Sequence, residues 1–164
     1  MIIPVELPEE VLKFFTKQGA VIISTIDAKR RIHCSVKGLV RIEKQGKAFV
    51  VDLYSGKTYR NLLKNSKVSI TAVDEERFIG YTLQGRAKIV PKSDISEKII
   101  QDWESRIAQR ISKRIVNSIH RGHTAKRHFE VHLPNTPRHL IEVEVESVID
   151  LSPPHTNGSK PDKE

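Results

Sequence analysis

The sequence predicts a mainly β protein: an antiparallel barrel with a short N-terminal helix and one long helix. Three observations predict it. Runs rich in β-branched residues recur at short spacing between Ala20 and Val90. Polar turns of hairpin length separate several of them, at Asp27-Ala-Lys-Arg30, Glu43-Lys-Gln-Gly46 and Asp74-Glu-Glu-Arg77. Past Pro91 the apolar residues change from strand-like alternation to steps of four, a helical period.

The elements follow in order. Leu7-Pro-Glu-Glu10 reads as a helix start, because proline suits the first helical position and the glutamates complement the N-terminal dipole. Val11, Leu12, Phe14 and Phe15 supply its apolar face. Gln18-Gly19 reads as its stop, with the glycine free to turn left-handed. Strands are predicted over Ala20–Ile26, Arg31–Ile42 and Lys47–Tyr54, with Gly38 as a bulge or point of close approach in the second. Two more follow over Lys67–Val73 and Phe78–Val90. Pro91-Lys-Ser-Asp94 then offers Ser93 or Asp94 as a helix N-cap. Ile95, Ile99, Trp103, Ile107, Ile111, Ile115 and Ile119 form the stripe behind it. A four-residue step overshoots the 3.6-residue turn, so the stripe winds around the helix or the helix breaks. Gly122 reads as its terminator and Phe129–Leu133 as a short strand. His139–Leu151 alternates Ile141, Val143, Val145 and Ile149 against Glu142, Glu144 and Glu146, the mark of a strand with one wet face.

At 164 residues the chain suits one domain with one core, taken as 1–151. Ser152–Glu164 is rich in Pro, Ser, Gly and Lys and is expected to be a disordered tail. No apolar run approaches the roughly 20 residues of a membrane helix, and the acidic N-terminus is not expected to be a signal peptide. The single Cys34 excludes an internal disulfide and points to a reducing, cytoplasmic setting. The net charge is +8, and Ser105–His128 holds seven Lys and Arg with no acidic residue. That run lacks interleaved aromatics and spends its isoleucines on packing. It therefore reads as a solvated helix face rather than a nucleic-acid surface, with an anionic substrate tail as a secondary use.

The chemistry concentrates in the crossing Asp52-Leu-Tyr-Ser-Gly-Lys-Thr-Tyr-Arg-Asn61, between the third and fourth strands. Gly56 lets a backbone approach closely, Ser55 and Thr58 offer hydroxyls, and Lys57 or Arg60 offers charge. A helical turn over Thr58–Lys64 would add free N–H groups. That set suits a phosphate. It is not a Walker A loop, since the first glycine of that pattern would fall on Val51. Taken alone, the crossing also reads as a polar turn with exposed charge.

The surrounding motifs decide between these. Gly19-Ala-Val-Ile-Ile-Ser-Thr-Ile26 follows the first helix, and His33-Cys-Ser-Val-Lys-Gly38 lies in the second strand. Tyr54-Ser-Gly-Lys-Thr-Tyr-Arg-Asn-Leu62 leads into Asn65-Ser-Lys-Val-Ser-Ile70, and Leu83-Gln-Gly-Arg-Ala87 lies in the fifth strand. On these residues the chain resembles the FMN-binding split-barrel family that includes pyridoxamine 5′-phosphate oxidase, from about Pro8 to Val90 and again in the last strand. The resemblance implies a split β-barrel with the long helix packed outside it, FMN as cofactor, and a homodimer holding the cofactor between subunits. Ser55, Lys57 and Thr58 then look like phosphate ligands, with Asn61 supporting the turn or reaching the cofactor. Ser35, Val36 and Lys37 match the segment along the ring and ribityl chain, and Asp52 and Tyr54 end the strand beside it. Lys37, and Arg86 across the dimer interface, could place positive charge near the flavin, the usual lever on such a cofactor; each also reads as a solvated strand residue. The chain lacks that oxidase's C-terminal arginine and histidine motif for the substrate phosphate. The resemblance therefore implies an oxidoreductase with a small-molecule redox partner rather than that specific activity. Related members bind haem or the deazaflavin F420, which stay open alongside FMN, as does a cofactor carrier without turnover.

His33 reads as a half-exposed strand side chain, Cys34 as a small core residue and Trp103 as a core or dimer contact. His120, His123, His128 and His132 are the rival signal for zinc or haem iron. Glu130 is the one acid near them and Gly122 interrupts any helix there, so the segment reads as a polar loop.

Overall fold

In the computed structural model, residues 5–120 and 137–154 are described. Helix α1 (Glu9–Lys17) follows Pro8, carries Glu9 and Glu10 in its first turn, and buries Val11, Phe14 and Phe15. It ends without a left-handed glycine. Gln18 leaves in an extended conformation, φ −76° and ψ 129°. Among the described residues Gly46 is the one glycine with positive φ.

Six strands follow: β1 (Val21–Ile26), β2 (Ile32–Glu43), β3 (Lys47–Asp52), β4 (Lys67–Asp74), β5 (Ile79–Pro91) and β6 (His139–Asp150). They close a barrel in the order β1-β2-β3-β6-β5-β4, with β4 pairing back onto β1, and every pair is antiparallel. The period-2 pattern sets which side chains fill it. Val21 and Ile23 of β1, Val50 of β3, Ile70 of β4, Leu83 of β5 and Val143 of β6 are buried together with Phe14 and Phe15 of α1. The bulge expected near Gly38 falls just beyond it, where the β2–β3 register shifts between Leu39 and Arg41. The β5–β6 register shifts at Gln84/Gly85, and there backbones nearly touch: a Cβ on Gly85 would lie 2.0 Å from the carbonyl oxygen of Glu144.

The crossing between β3 and β4 holds the short helix α2 (Lys57–Leu62), and a single helical turn, Lys92–Asp94, leads from β5 to the long helix α3 (Glu97–His120). The cap of α3 is not Ser93 or Asp94. The N–H of Ile99 donates to the Ser96 hydroxyl at 3.4 Å, so the helix starts two or three residues later than the sequence predicts. Ile95, Ile99 and Trp103 pack on Val40, Val51 and Leu140, a second core outside the barrel. This explains why β3 is buried on both faces: Val50 faces the barrel interior and Val51 faces α3. The isoleucine stripe does wind. Each four-residue step turns it by about 40°, so Ile107 and Ile111 are half-buried while Ile115 and Ile119 are exposed. The helix stays continuous and the stripe leaves the barrel. Arg106 and Arg110, from the basic run, turn onto the barrel: Arg106 donates to the Gln18 carbonyl at 3.2 Å, and Arg110 lies against Gly38.

Among the described residues no helix is long and apolar enough to cross a membrane. The predicted strand Phe129–Leu133, Gly122, His123, His128, His132 and most of the predicted tail lie outside the described residues.

Candidate functional site

Strand β3 alternates, so after Val50 the next residue on the inward face is Asp52, the last of the strand. It is completely buried. A carboxylate there needs a partner, and Lys37 supplies it: its ammonium donates to Asp52 Oδ1 at 2.8 Å. Lys37 keeps 13% of its side-chain exposure. Asp52 Oδ2 has no hydrogen-bond partner among the described residues. Directly across the β3–β6 pair from Asp52 stands His139.

The chain leaves β3 through a polar crossing and re-enters the barrel as α2, whose Leu62 joins the barrel core. That anchor draws the polar residues of α2 onto β1 and β2. Thr58, which is buried, shares a hydrogen bond with Ser35 of β2 at 2.8 Å. The Asn61 amide donates to the buried Thr25 hydroxyl of β1 at 3.0 Å. Before the helix, Ser55 takes the left-handed conformation, φ 49°, and its hydroxyl meets His139 Nδ1 at 3.0 Å. The ring of Tyr59 stacks on that imidazole at 4.3 Å between centroids. Gly56 has no protein atom within 4 Å of where a Cβ would stand, so its backbone faces open space.

Ser35, Lys37, Asp52, Ser55, Thr58 and Asn61 thus meet in one polar layer over the barrel end. Lys57 stands at its edge. Its ammonium is 3.8 Å from Asp27 Oδ2. The backbone N–H of Arg31 is the main cause that holds the Asp27 carboxyl down at about 2, so at neutral pH Lys57 has a fixed anionic neighbour. Tyr54 is half-exposed at the rim, beyond the end of the strand predicted to include it. With Val36, Lys37, Trp103 and Arg114 it lines a cavity of about 230 Å³ between α3 and the barrel.

Other residues are placed elsewhere. Val36 points outward and is 71% exposed, beside exposed Ile22 and Ile32 on the face formed by β1 and β2. Arg86 lies on the outer side of β5, paired with Glu146 at 3.0 Å rather than in contact with the α2 layer. A groove of about 360 Å³ runs over this outer face, lined by Ser24, Ile32, Ser69 and Gln84. Cys34, expected in the core, is exposed there and shares a 3.3 Å hydrogen bond with Ser24. The register explains it: Cys34 is opposite Ser24 on the outward side of β1. His33 is half-buried, as expected.

His139 and Tyr59 are the residues that sequence reasoning missed. Tyr59 sits inside the motif, but the contact it makes with His139 is through its ring, which its place in a polar run does not announce. His139 opens the strand after Pro137 and is 84 positions from Ser55, a proximity that only the barrel's closure supplies.

The donor set, three hydroxyls with a nearby ammonium beside a backbone open at Gly56, fits a phosphate monoester. A family model described as pyridoxamine 5′-phosphate oxidase matches residues 7–152. Among solved structures the chain is similar to HupZ of Group A Streptococcus, at 18% identity and a TM-score of 0.60 over 89% of this chain and 95% of that one. It is similar to General Stress Protein 26 of Bacillus anthracis, at 14% identity and a TM-score of 0.53 over 87% and 92%. It is also similar to HutZ, the haem storage protein of Vibrio cholerae, at 22% identity and a TM-score of 0.51 over 88% and 94%. At these identities the likenesses establish the fold. No curated protein sequence matches the chain.

Proposed function

Because the chain belongs to the pyridoxamine 5′-phosphate oxidase family, we propose that it is a homodimeric FMN-binding flavoprotein that acts as an oxidoreductase on a small-molecule redox partner. The observation that carries this reading is the polar layer over the barrel end, where Ser35, Ser55 and Thr58 gather around α2. FMN, when bound, supplies two-electron transfer chemistry. The chain's residues bind and tune it. Ser55 and Thr58 donate to the phosphate, with Ser35 holding Thr58 in place. Lys57 adds charge by turning from Asp27, and Asn61 pins α2 to β1. Val36 and Tyr54 flank the ring. Lys37 reaches it already paired with Asp52, so what the flavin meets is an ion pair rather than a bare cation. In the dimer Arg86 serves the second copy's cofactor. The exposed apolar group Ile22, Ile32 and Val36, on the same face as the 360 Å³ groove, supports burial against a second copy. A reducing, cytoplasmic setting belongs to the same reading.

A double variant, Lys57→Ala with Thr58→Ala, tests the loop. It is expected to purify folded and without flavin. Full retention of flavin at the wild-type ratio would overturn the assignment of the phosphate to this loop.

The likeness to a haem storage protein favours a second reading, a haem carrier without turnover. The two part on colour: a flavin carries two visible bands, and haem carries a Soret band.

A further inference from the structure

His139 belongs to β6, yet its imidazole reaches the phosphate loop on both sides of Gly56. Ahead of the glycine, Nδ1 lies 3.0 Å from the Ser55 hydroxyl. Behind it, Tyr59 stacks on the imidazole with an interplanar angle of 27°, which fixes the plane in which Nδ1 points. Ser55 is held at φ 49°, a conformation few residues other than glycine adopt without a reason. A serine has one hydroxyl hydrogen. If it is spent on Nδ1, none is left for an anion. If Nδ1 carries the proton and donates to Oγ, the hydroxyl hydrogen is free to point into the space beside Gly56. The ring nitrogen therefore decides whether Ser55 is a phosphate donor.

Resting on the FMN reading above, we propose that His139 is the positioning residue that makes this site select the phosphorylated flavin over riboflavin. It does so by donating from Nδ1 to Ser55 and so committing the serine hydroxyl to the phosphate. The role is confined to the phosphate end of the ligand. Riboflavin shares the ring and ribityl chain but has no group for Ser55 to hold.

The test titrates the flavin-stripped full chain with FMN and with riboflavin, following quenching of flavin fluorescence. A hydrogen bond to a charged group is worth about 10- to 100-fold in affinity. His139→Ala is expected to lose that factor for FMN and less than about threefold for riboflavin, which does not make the bond. His139→Asn, whose side-chain amide can take the place of Nδ1, is expected to recover most of the FMN affinity. Ser55→Gly, which removes the hydroxyl without straining the left-handed backbone, is expected to match His139→Ala, and the double variant to be no weaker than either. Should His139→Ala fail to fold, His139→Phe, which keeps a ring stacked on Tyr59 but has no Nδ1, is expected to show the same selective loss for FMN. Equal losses for both flavins would make His139 a structural brace and overturn the proposal, as would unchanged FMN binding. Wild-type protein that takes up neither flavin overturns the FMN reading itself, a failure seen in the unsubstituted chain and so distinct from the others.

Discussion

A carboxylate without solvent exposure is stable only with a partner, and Asp52 has Lys37 at 2.8 Å. Removing one member of a buried pair typically costs 3–5 kcal/mol, because the other charge stays behind. Lys37 keeps 13% exposure and can reach water, so Asp52→Asn is expected to cost about 3 kcal/mol, the low end of that range. A urea titration reads this as a lower midpoint, and adding Lys37→Met should restore most of it. An unchanged midpoint in the single variant would mean that the pair holds nothing together. At this scale the sequence was partly legible. Ser55, Lys57, Thr58 and Asn61 announce themselves by type and spacing. Their partners do not: His139 and Thr25 come from distant strands. The left-handed backbone at Ser55 gave no sequence signal either, since glycine is the usual occupant of that conformation.

The elements were legible where period and turn chemistry agree. All six strands were expected, and the crossing helix also appears, shorter than expected at Lys57–Leu62. Their ends were less legible, because caps and exits are decided by tertiary contacts. Gln18 leaves α1 extended as the chain turns into β1, and Ser96 rather than Ser93 meets the first free N–H groups of α3. Two glycines separate fold from site at this scale. Gly85 sits at the β5–β6 register shift, where an added Cβ would be 2.0 Å from the Glu144 oxygen and 3.0 Å from the Val145 Cα. Only backbone could yield, so Gly85→Ala is expected to lose more than the 1–3 kcal/mol usual for overpacking. Gly56→Ala meets no protein atom within 4 Å and is expected to leave thermal unfolding unchanged within about 0.5 kcal/mol. Thermal unfolding of both variants checks the contrast. Equal stability would contradict the close approach at Gly85.

For the whole molecule, one sequence encodes two cores, one inside the barrel and one between its outer wall and α3. The isoleucine stripe was legible as helical, and its drift predicted that the helix would either wrap or break. Which neighbours it meets, and that its distal isoleucines leave the barrel, follow from where β3 and β6 place Val51 and Leu140. The exposed apolar face of β1 and β2 belongs to the same scale, because the homodimer proposed above would cover it. The central claim is also one about the whole molecule: the polar layer over the barrel end holds a flavin phosphate. The visible spectrum of the freshly purified protein, with mass analysis of what acid releases, tests it most directly. Two flavin bands with FMN released is the predicted result. A Soret band, or a colourless protein that takes up no FMN when it is supplied, would contradict it.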